Sequence, residues 1–200
     1  MATETETFTA SNGTDITSVG SSIWAYGDGT SGDIFVTSNE FRPRLSMDFA
    51  RFARRAGTFT DNQYAQVKLT ALVSQSRVGV AVRANNAGSG YLLYVASGDF
   101  YLLKRVSYGF TILHYGAKSF SVNDIIRLEV SGTSLTCKQN GTSFRTETDA
   151  ALTSGNPGIC GWGPSATVFS AADDWEGGDL VTAALQNFQY DWPHQLHARR

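Results

Sequence analysis

Residues 124–158 read DIIRLEVSGTSLTCKQNGTSFRTETDAALTSGNPG, three short alternating runs punctuated by Ser131-Gly132-Thr133 and Asn140-Gly141. Side chains alternate with period two along a strand, so Ile126, Leu128 and Val130 fall on one face while Ile125, Arg127 and Glu129 fall on the other. The second run continues with Leu135 and Cys137 inward. Asn140-Gly141 supplies two residues that tolerate positive φ, as a two-residue primed hairpin turn requires, so the third run folds straight back on the second. This stretch is an antiparallel meander and excludes an α/β unit.

Working outward, the same pattern recurs. Strands are expected near 6–10, 33–38, 63–73, 77–84, 91–96, 100–106, 111–115 and 167–171, and a short helix near 180–188. Turn signals such as Asn85-Asn86-Ala87-Gly88-Ser89-Gly90 and Ser97-Gly98-Asp99 separate them at the spacing of a β-sandwich or barrel. With 200 residues, 20 Gly, 12% aromatic and 17% charged residues, the chain has the make-up of one β-rich domain.

The formal charge of −2 gives no overall pull toward nucleic acid or an anionic membrane. Arg42, Arg44, Arg51, Arg54 and Arg55 concentrate positive charge locally and read as a solvated or partner-facing edge. MATETETFTA has neither a basic start nor an apolar run, so synthesis in the cytoplasm without a signal peptide is expected, and no segment reaches membrane-spanning length. Cys137 and Cys160 are too few for a disulfide scaffold, and Cys137 sits at an inward strand position. Whether the two pair stays open on the sequence.

GVAVRA (79–84), GYLLYV (90–95), LLKRV (102–106), the meander itself, and the closing GNPGI and DDWEGGDL together resemble the concanavalin A-like lectin and glucanase superfamily. The laminin-G-like and 3-keto-disaccharide-hydrolase-like branches are the nearest in flavour. The resemblance spans about residues 7–180. It implies an all-β, two-sheet antiparallel jelly-roll sandwich over 1–180 with a C-terminal arm at 181–200. It leaves function open, because this architecture hosts lectins, hydrolases, lyases and structural modules.

Glycoside hydrolysis needs two carboxyl groups flanking the bond. Hydrolases of this superfamily resembling laminarinases carry Glu-x-Asp-x-x-Glu along one strand, and no such run occurs here. Glu129 stands alone in its strand, while Glu147 and Asp149 stand near a strand end and read as solvent-facing. His114, His194 and His197 make no triad, and no Gly-x-Ser-x-Gly elbow accompanies them. No catalytic residue is therefore assigned. Asp173, Asp174, Glu176 and Asp179 offer hard oxygen ligands, and the resemblance makes calcium at a loop rim a minority reading beside a solvated loop. No other cofactor is expected.

Sugar binding asks for aromatic faces and a few fixed polar groups. If Val78, Val80 and Val82 point into the core, Arg83 points to the face that the resemblance makes the concave, ligand-bearing one, with Tyr94 and Lys104 as neighbours. Trp24, Tyr26, Tyr108 and Trp162 are expected on loops at its rim, or else packed beneath loops. The tail LVTAALQNFQYDWPHQLHARR carries Phe188, Tyr190, Trp192, Arg199 and Arg200, the residue types that interface cores favour. It could dock on a partner subunit, in a homo-oligomer or a larger assembly, or pack on its own domain.

A stand-alone jelly roll with such an arm resembles accessory proteins of tailed bacteriophage virions. The expectation is therefore a non-catalytic, lectin-like structural or adhesion module on a virion surface, as a minor tail or head-decoration protein. Its partners would be protein subunits and a surface glycan, without nucleic acid or membrane insertion. The alternative is a carbohydrate-active enzyme on a poly- or disaccharide, with Arg83 and the acidic stretch at its site.

Overall fold

The computed structural model describes residues 2–20, 23–27, 33–44, 51–107, 109–163 and 169–181. Strands dominate these residues: β1 (Thr3–Glu6), β2 (Thr14–Asp15), β3 (Trp24–Tyr26), β4 (Ile34–Thr37), β5 (Glu40–Pro43), β6 (Arg51–Arg55), β7 (Gln63–Ala71) and β8 (Arg77–Ala84). They continue with β9 (Gly90–Val95), β10 (Asp99–Val106), β11 (Gly109–Ala117), β12 (Ile125–Ser131), β13 (Ser134–Gln139), β14 (Thr142–Thr148), β15 (Asn156–Trp162) and β16 (Ala171–Asp179). A nine-stranded sheet runs β14-β13-β12-β7-β16-β5-β4-β2, with β1 also pairing β16, and a seven-stranded sheet runs β11-β10-β9-β8-β15-β6-β3. All pairings are antiparallel. The molecule is the two-sheet antiparallel jelly roll that the family resemblance implied.

The meander forms β12, β13 and β14, with Gln139 opposite Thr142 across the turn and one register shift between Cys137 and Lys138. Asn140 and Gly141 have φ of 50° and 80°, the sign that a primed two-residue turn demands. Between the sheets, Val78, Val80, Val82, Tyr91, Leu93 and Val95 meet Val67, Leu69, Ile126, Leu128, Val130 and Cys137 in one core. Each such side chain contributes about 1.5–3 kcal/mol on burial. Trp24 and Trp175 pack edge to face with centroids 4.9 Å apart. Among the described residues no helix is long and apolar enough to cross a membrane.

Two local expectations are corrected. The first strand lies at Thr3–Glu6 rather than 6–10, because buried Phe8 adopts φ of 48° and turns the chain into the core. The DDWEGGD stretch is not a loop. It is β16, held centrally by buried Trp175 and shifted in register between Asp173 and Glu176. Residues beyond Val181, including most of the expected helix and the arm residues Phe188, Tyr190, Trp192, Arg199 and Arg200, lie outside the described residues, as do Tyr108, His194 and His197. Cys137 and Cys160 are both buried free thiols.

Candidate functional site

The face of the seven-stranded sheet that turns away from the core is concave. Neighbouring strands are spaced about 4.8 Å apart, so next-nearest strands in a flat sheet would stand near 9.6 Å. Here β6 and β8, and likewise β15 and β9, come within 8 Å at Cα. The Arg105 guanidinium of β10 lies 5.6 Å from the Phe52 ring of β6, four strand steps away, which only a strongly curled sheet allows.

Register lays the floor in rows. Tyr115, Tyr101, Tyr94, Gly79, Cys160 and Phe52 align across β11, β10, β9, β8, β15 and β6. The next row holds Ile112, Leu103, Leu92, Ala81, Gly158 and Arg54. A Cβ on Gly79 would sit 1.8 Å from the Leu93 carbonyl oxygen, so no side chain fits there. Phe52, Ala81, Leu92, Tyr94, Leu103 and Cys160 form a second buried cluster, separate from the core. Tyr94 donates its hydroxyl to the Arg51 carbonyl at 3.1 Å, and Cys160 Sγ donates to the Val80 carbonyl at 3.1 Å. Burial pushes both the Tyr94 phenol and the Cys160 thiol well above their ordinary ranges.

At one end of this face a platform of rings surrounds an arginine. The Arg77 guanidinium lies 4.9 Å from the Tyr101 ring and 5.0 Å from the Trp162 ring. Asp99 holds it bidentately, at 3.2 Å from Nε and 2.8 Å from Nη2. Tyr115, 55% exposed, packs on Tyr101 with centroids 4.5 Å apart. An arginine clamped between rings and a carboxylate is held in one place.

The expected glycan contacts separate. Trp162 stands on this face, as the last residue of β15 rather than on a loop, and Tyr94 lies on its floor, 1% exposed. Arg83 does not point there. It adopts φ of 49° at the end of β8, and its guanidinium turns inward to donate to the carbonyls of Asp61, Leu152 and Gly132 at 2.7–3.0 Å. Lys104 also faces inward, opposite Tyr91, and bonds Asp149 at 2.6 Å. Tyr91 donates to Asp149 at 2.7 Å, and burial pushes its phenol up to about 12. Burial works against the Asp149 carboxylate, but the bonds from Lys104, Tyr91 and the Ala151 amide outweigh it and hold its pKa below the usual range. Arg83 and Lys104 thus close one end of the sandwich. Trp24 is 2% exposed in the core, and Tyr26 exchanges two bonds of 2.8 Å with the Ile34 backbone, so neither is at a rim.

The acidic residues also disperse. Asp179 accepts from the backbone amides of Ala2 and Thr60, Glu176 accepts from the Tyr64 hydroxyl, and Asp174 lies 3.4 Å from Lys68 Nζ. Burial raises Asp173 above the usual carboxylate range. Among the described residues no group of three His, Cys, Asp or Glu converges as metal ligands, so these four do not fit a shared calcium. The arginine cluster is likewise divided, since Arg42 pairs with Glu40, Arg51 with Asp33 and Arg55 with Glu4 and Glu6. Arg54 donates to Asn86 Oδ1 at 2.7 Å.

Sequence reading missed Arg77, Asp99 and Tyr115. Period-two counting from Val78 and Leu102 places Arg77 and Asp99 outward. Tyr115 was hidden by the register shift between Leu102 and Leu103, which breaks the alternation in β11. Asp99 is the one carboxylate on the described part of this face.

No protein-family model and no curated protein sequence matches the chain. Solved structures do. A carbohydrate-binding module, CBM66 from Bacillus subtilis, superposes with a TM-score of 0.57 at 15% identity, over 78% of this chain and 92% of that one. The fold is that of the concanavalin A-like jelly rolls. A prokaryotic β-1,3-1,4-glucanase (lichenase) derived from a mouse hindgut metagenome matches this jelly roll with a TM-score of 0.59 at 10% identity, over 90% of this chain and all of that one. The VIP36 exoplasmic/lumenal domain, in its Ca2+/Man3GlcNAc-bound form, matches with a TM-score of 0.56 at 10% identity, over 84% of this chain and 87% of that one. These findings correct the expectation of a non-catalytic virion module. The jelly roll's similar structures are a carbohydrate-binding module, a glucanase and a glycan-bound domain, with nothing that points to a virion, and the carbohydrate-active alternative takes precedence.

Proposed function

We propose that this chain is a carbohydrate-active enzyme of the glycoside-hydrolase type, acting on a poly- or disaccharide laid along the concave face. The observation that carries the reading is the Arg77 platform, where Tyr101, Trp162 and exposed Tyr115 surround a guanidinium fixed by Asp99. Tyrosine and tryptophan faces stack on the apolar face of a pyranose, and a clamped arginine orients its hydroxyls. The glucanase among the similar structures supports an active face on this fold. In hydrolysis the anomeric C–O bond breaks, water oxygen bonds the anomeric carbon and a proton passes to the leaving oxygen, which takes two carboxyl groups. Asp99 would be one of them only on release from Arg77, which holds both its oxygens, and the second is not among the described residues of the face.

The test is a panel of β-glucans, xylan and fructan incubated with the full chain, with calcium and with chelator, reading both retention and new reducing ends. Product release that Tyr101→Ala lowers at least tenfold is the expected result. Retention without products, or a panel silent in both, would overturn the enzyme reading.

A further inference from the structure

The strands that end the two sheets are not alike. Among the described residues β2 and β3 are terminal strands of two and three residues, and β1 has four, of which Glu4 and Glu6 bond Arg55. β14 turns Arg145 and Glu147 inward, opposite the buried Cys137 and Leu135, and a register shift breaks its pairing. Short length, inward-pointing charge and bulges are the devices that keep a sheet edge from pairing with another chain. β11, the terminal strand of the seven-stranded sheet, lacks the first two. It is nine residues long, GFTILHYGA, without Lys, Arg, Asp, Glu or Pro, and its Phe110 and Ile112 are 53% and 50% exposed. Its one register shift falls beyond Ile112, so residues 109–112 pair regularly with β10.

We propose that β11 is a dimer interface, pairing antiparallel with β11 of a second copy of this chain about a twofold axis at Thr111. The strand is its own complement. With Thr111 opposite Thr111, Phe110 meets Ile112 of the second copy and Ile112 meets its Phe110, two aromatic–β-branched cross-strand pairs of the kind that stabilise a sheet. Register with Arg105 and Leu103 puts Phe110 and Ile112 on the concave side, where this contact takes out of water the apolar edge that each copy exposes alone. An uncharged strand also meets its copy without like charges face to face. With the other edges guarded, one open edge per molecule closes the assembly at two copies, because a twofold pairing uses the same patch on both. Antiparallel pairing keeps both concave faces on one side of the joined sheet, so the two Arg77 platforms face the same way. The dimer does not depend on the saccharide reading.

The experiment is sedimentation velocity of the full chain over a dilution series. The expected result is a particle of twice the chain mass that falls to monomer on dilution. Phe110→Lys combined with Ile112→Lys sets like charges opposite each other across the axis and should weaken the dimer about tenfold or more, while the melting temperature in dilute solution stays unchanged because both side chains are half exposed. Phe110→Glu combined with Ile112→Lys sets Glu against Lys on both sides of the axis and should restore the dimer, a rescue that depends on this register. A full chain that is monomeric at every concentration would overturn the proposal, and hydrogen exchange of the β11 amides would then tell a bare edge from one covered by another part of the chain. Oligomers that grow past two would overturn the closed twofold. A dimer indifferent to both double variants would overturn β11 as its interface.

Discussion

The outer faces of the two sheets are built from opposite materials on the same backbone plan. That of the nine-stranded sheet is polar and paired. Arg127 and Lys138 share Glu129 at 2.7 and 2.8 Å, Arg127 stacks on the Tyr64 ring at 3.5 Å, and Tyr64 donates to Glu176. That of the seven-stranded sheet is apolar and buried over its floor, with Leu92, Ala81 and Cys160 inaccessible to solvent. Alternation alone makes a strand's second face polar when it only has to meet water. A second face that carries buried Phe, Leu and Tyr is packed rather than merely wetted, and this is the difference between the two sheets.

The sharpest way to break this comparison is to place the same charge on each face. Leu92→Asp buries a carboxylate in the floor and is expected to cost about 3–5 kcal/mol, enough to unfold the chain or lower its melting temperature steeply, whereas Thr136→Asp on the opposite face is expected to stay within about 0.5 kcal/mol. Equal losses would mean that the two faces are not different in kind.

Acid probes the junction between the sheets with a smaller effect. The Asp149 carboxylate has a folded pKa below its unfolded value of about 3.9, so its contribution is present above that pH and is lost as pH falls through the folded pKa. The melting temperature of wild type should therefore fall below about pH 4, and Asp149→Asn should flatten that part of the profile. An unchanged acid limb in the variant would remove Asp149 from the closure.

The smallest effect is expected where the surface is most crowded with ion pairs. Glu129→Gln strips the carboxylate shared by Arg127 and Lys138, yet the amide keeps an acceptor for both and surface pairs are worth about 0–1 kcal/mol. Denaturant melts at low and high salt should show a loss within that range that shrinks with salt. A loss above about 2 kcal/mol would show that this face carries structure through its charges.

What the sequence made legible follows from period and turn chemistry. The first strand pair of the meander, the inward Val78, Val80 and Val82, and the outward Tyr94 could be read because regular alternation holds through β12, β8 and β9. Reading failed where regularity fails. Arg83 sits at positive φ at the end of β8, which swings its side chain off the face that counting assigns. The register shift in β11 concealed Tyr115, and the shift between Asp173 and Glu176 made a central strand look like an acidic loop. Curvature was also invisible, because the approach of Arg105 to Phe52 across four strand steps is set by packing rather than by any local motif. Polar side chains engaged by distant backbone, such as Arg83 with Gly132 and Leu152, belong to the same class.

β16 is the last of the described strands, yet it lies in the middle of the nine-stranded sheet, between β7 on one side and β5 and β1 on the other, and supplies Trp175 to the core. Glu6 therefore waits for Trp175 and Thr3 for Gly178 before β1 has a neighbour. A ribosome making this chain releases sheet after sheet edge with its centre missing, so the sandwich closes only after residue 179 has emerged. Pairings of such sequence separation are slow to form. The nascent chain spends that interval with β7 lacking one of its two neighbours and β1 lacking its partner, and exposed strand edges of this kind are what make incomplete chains prone to aggregate.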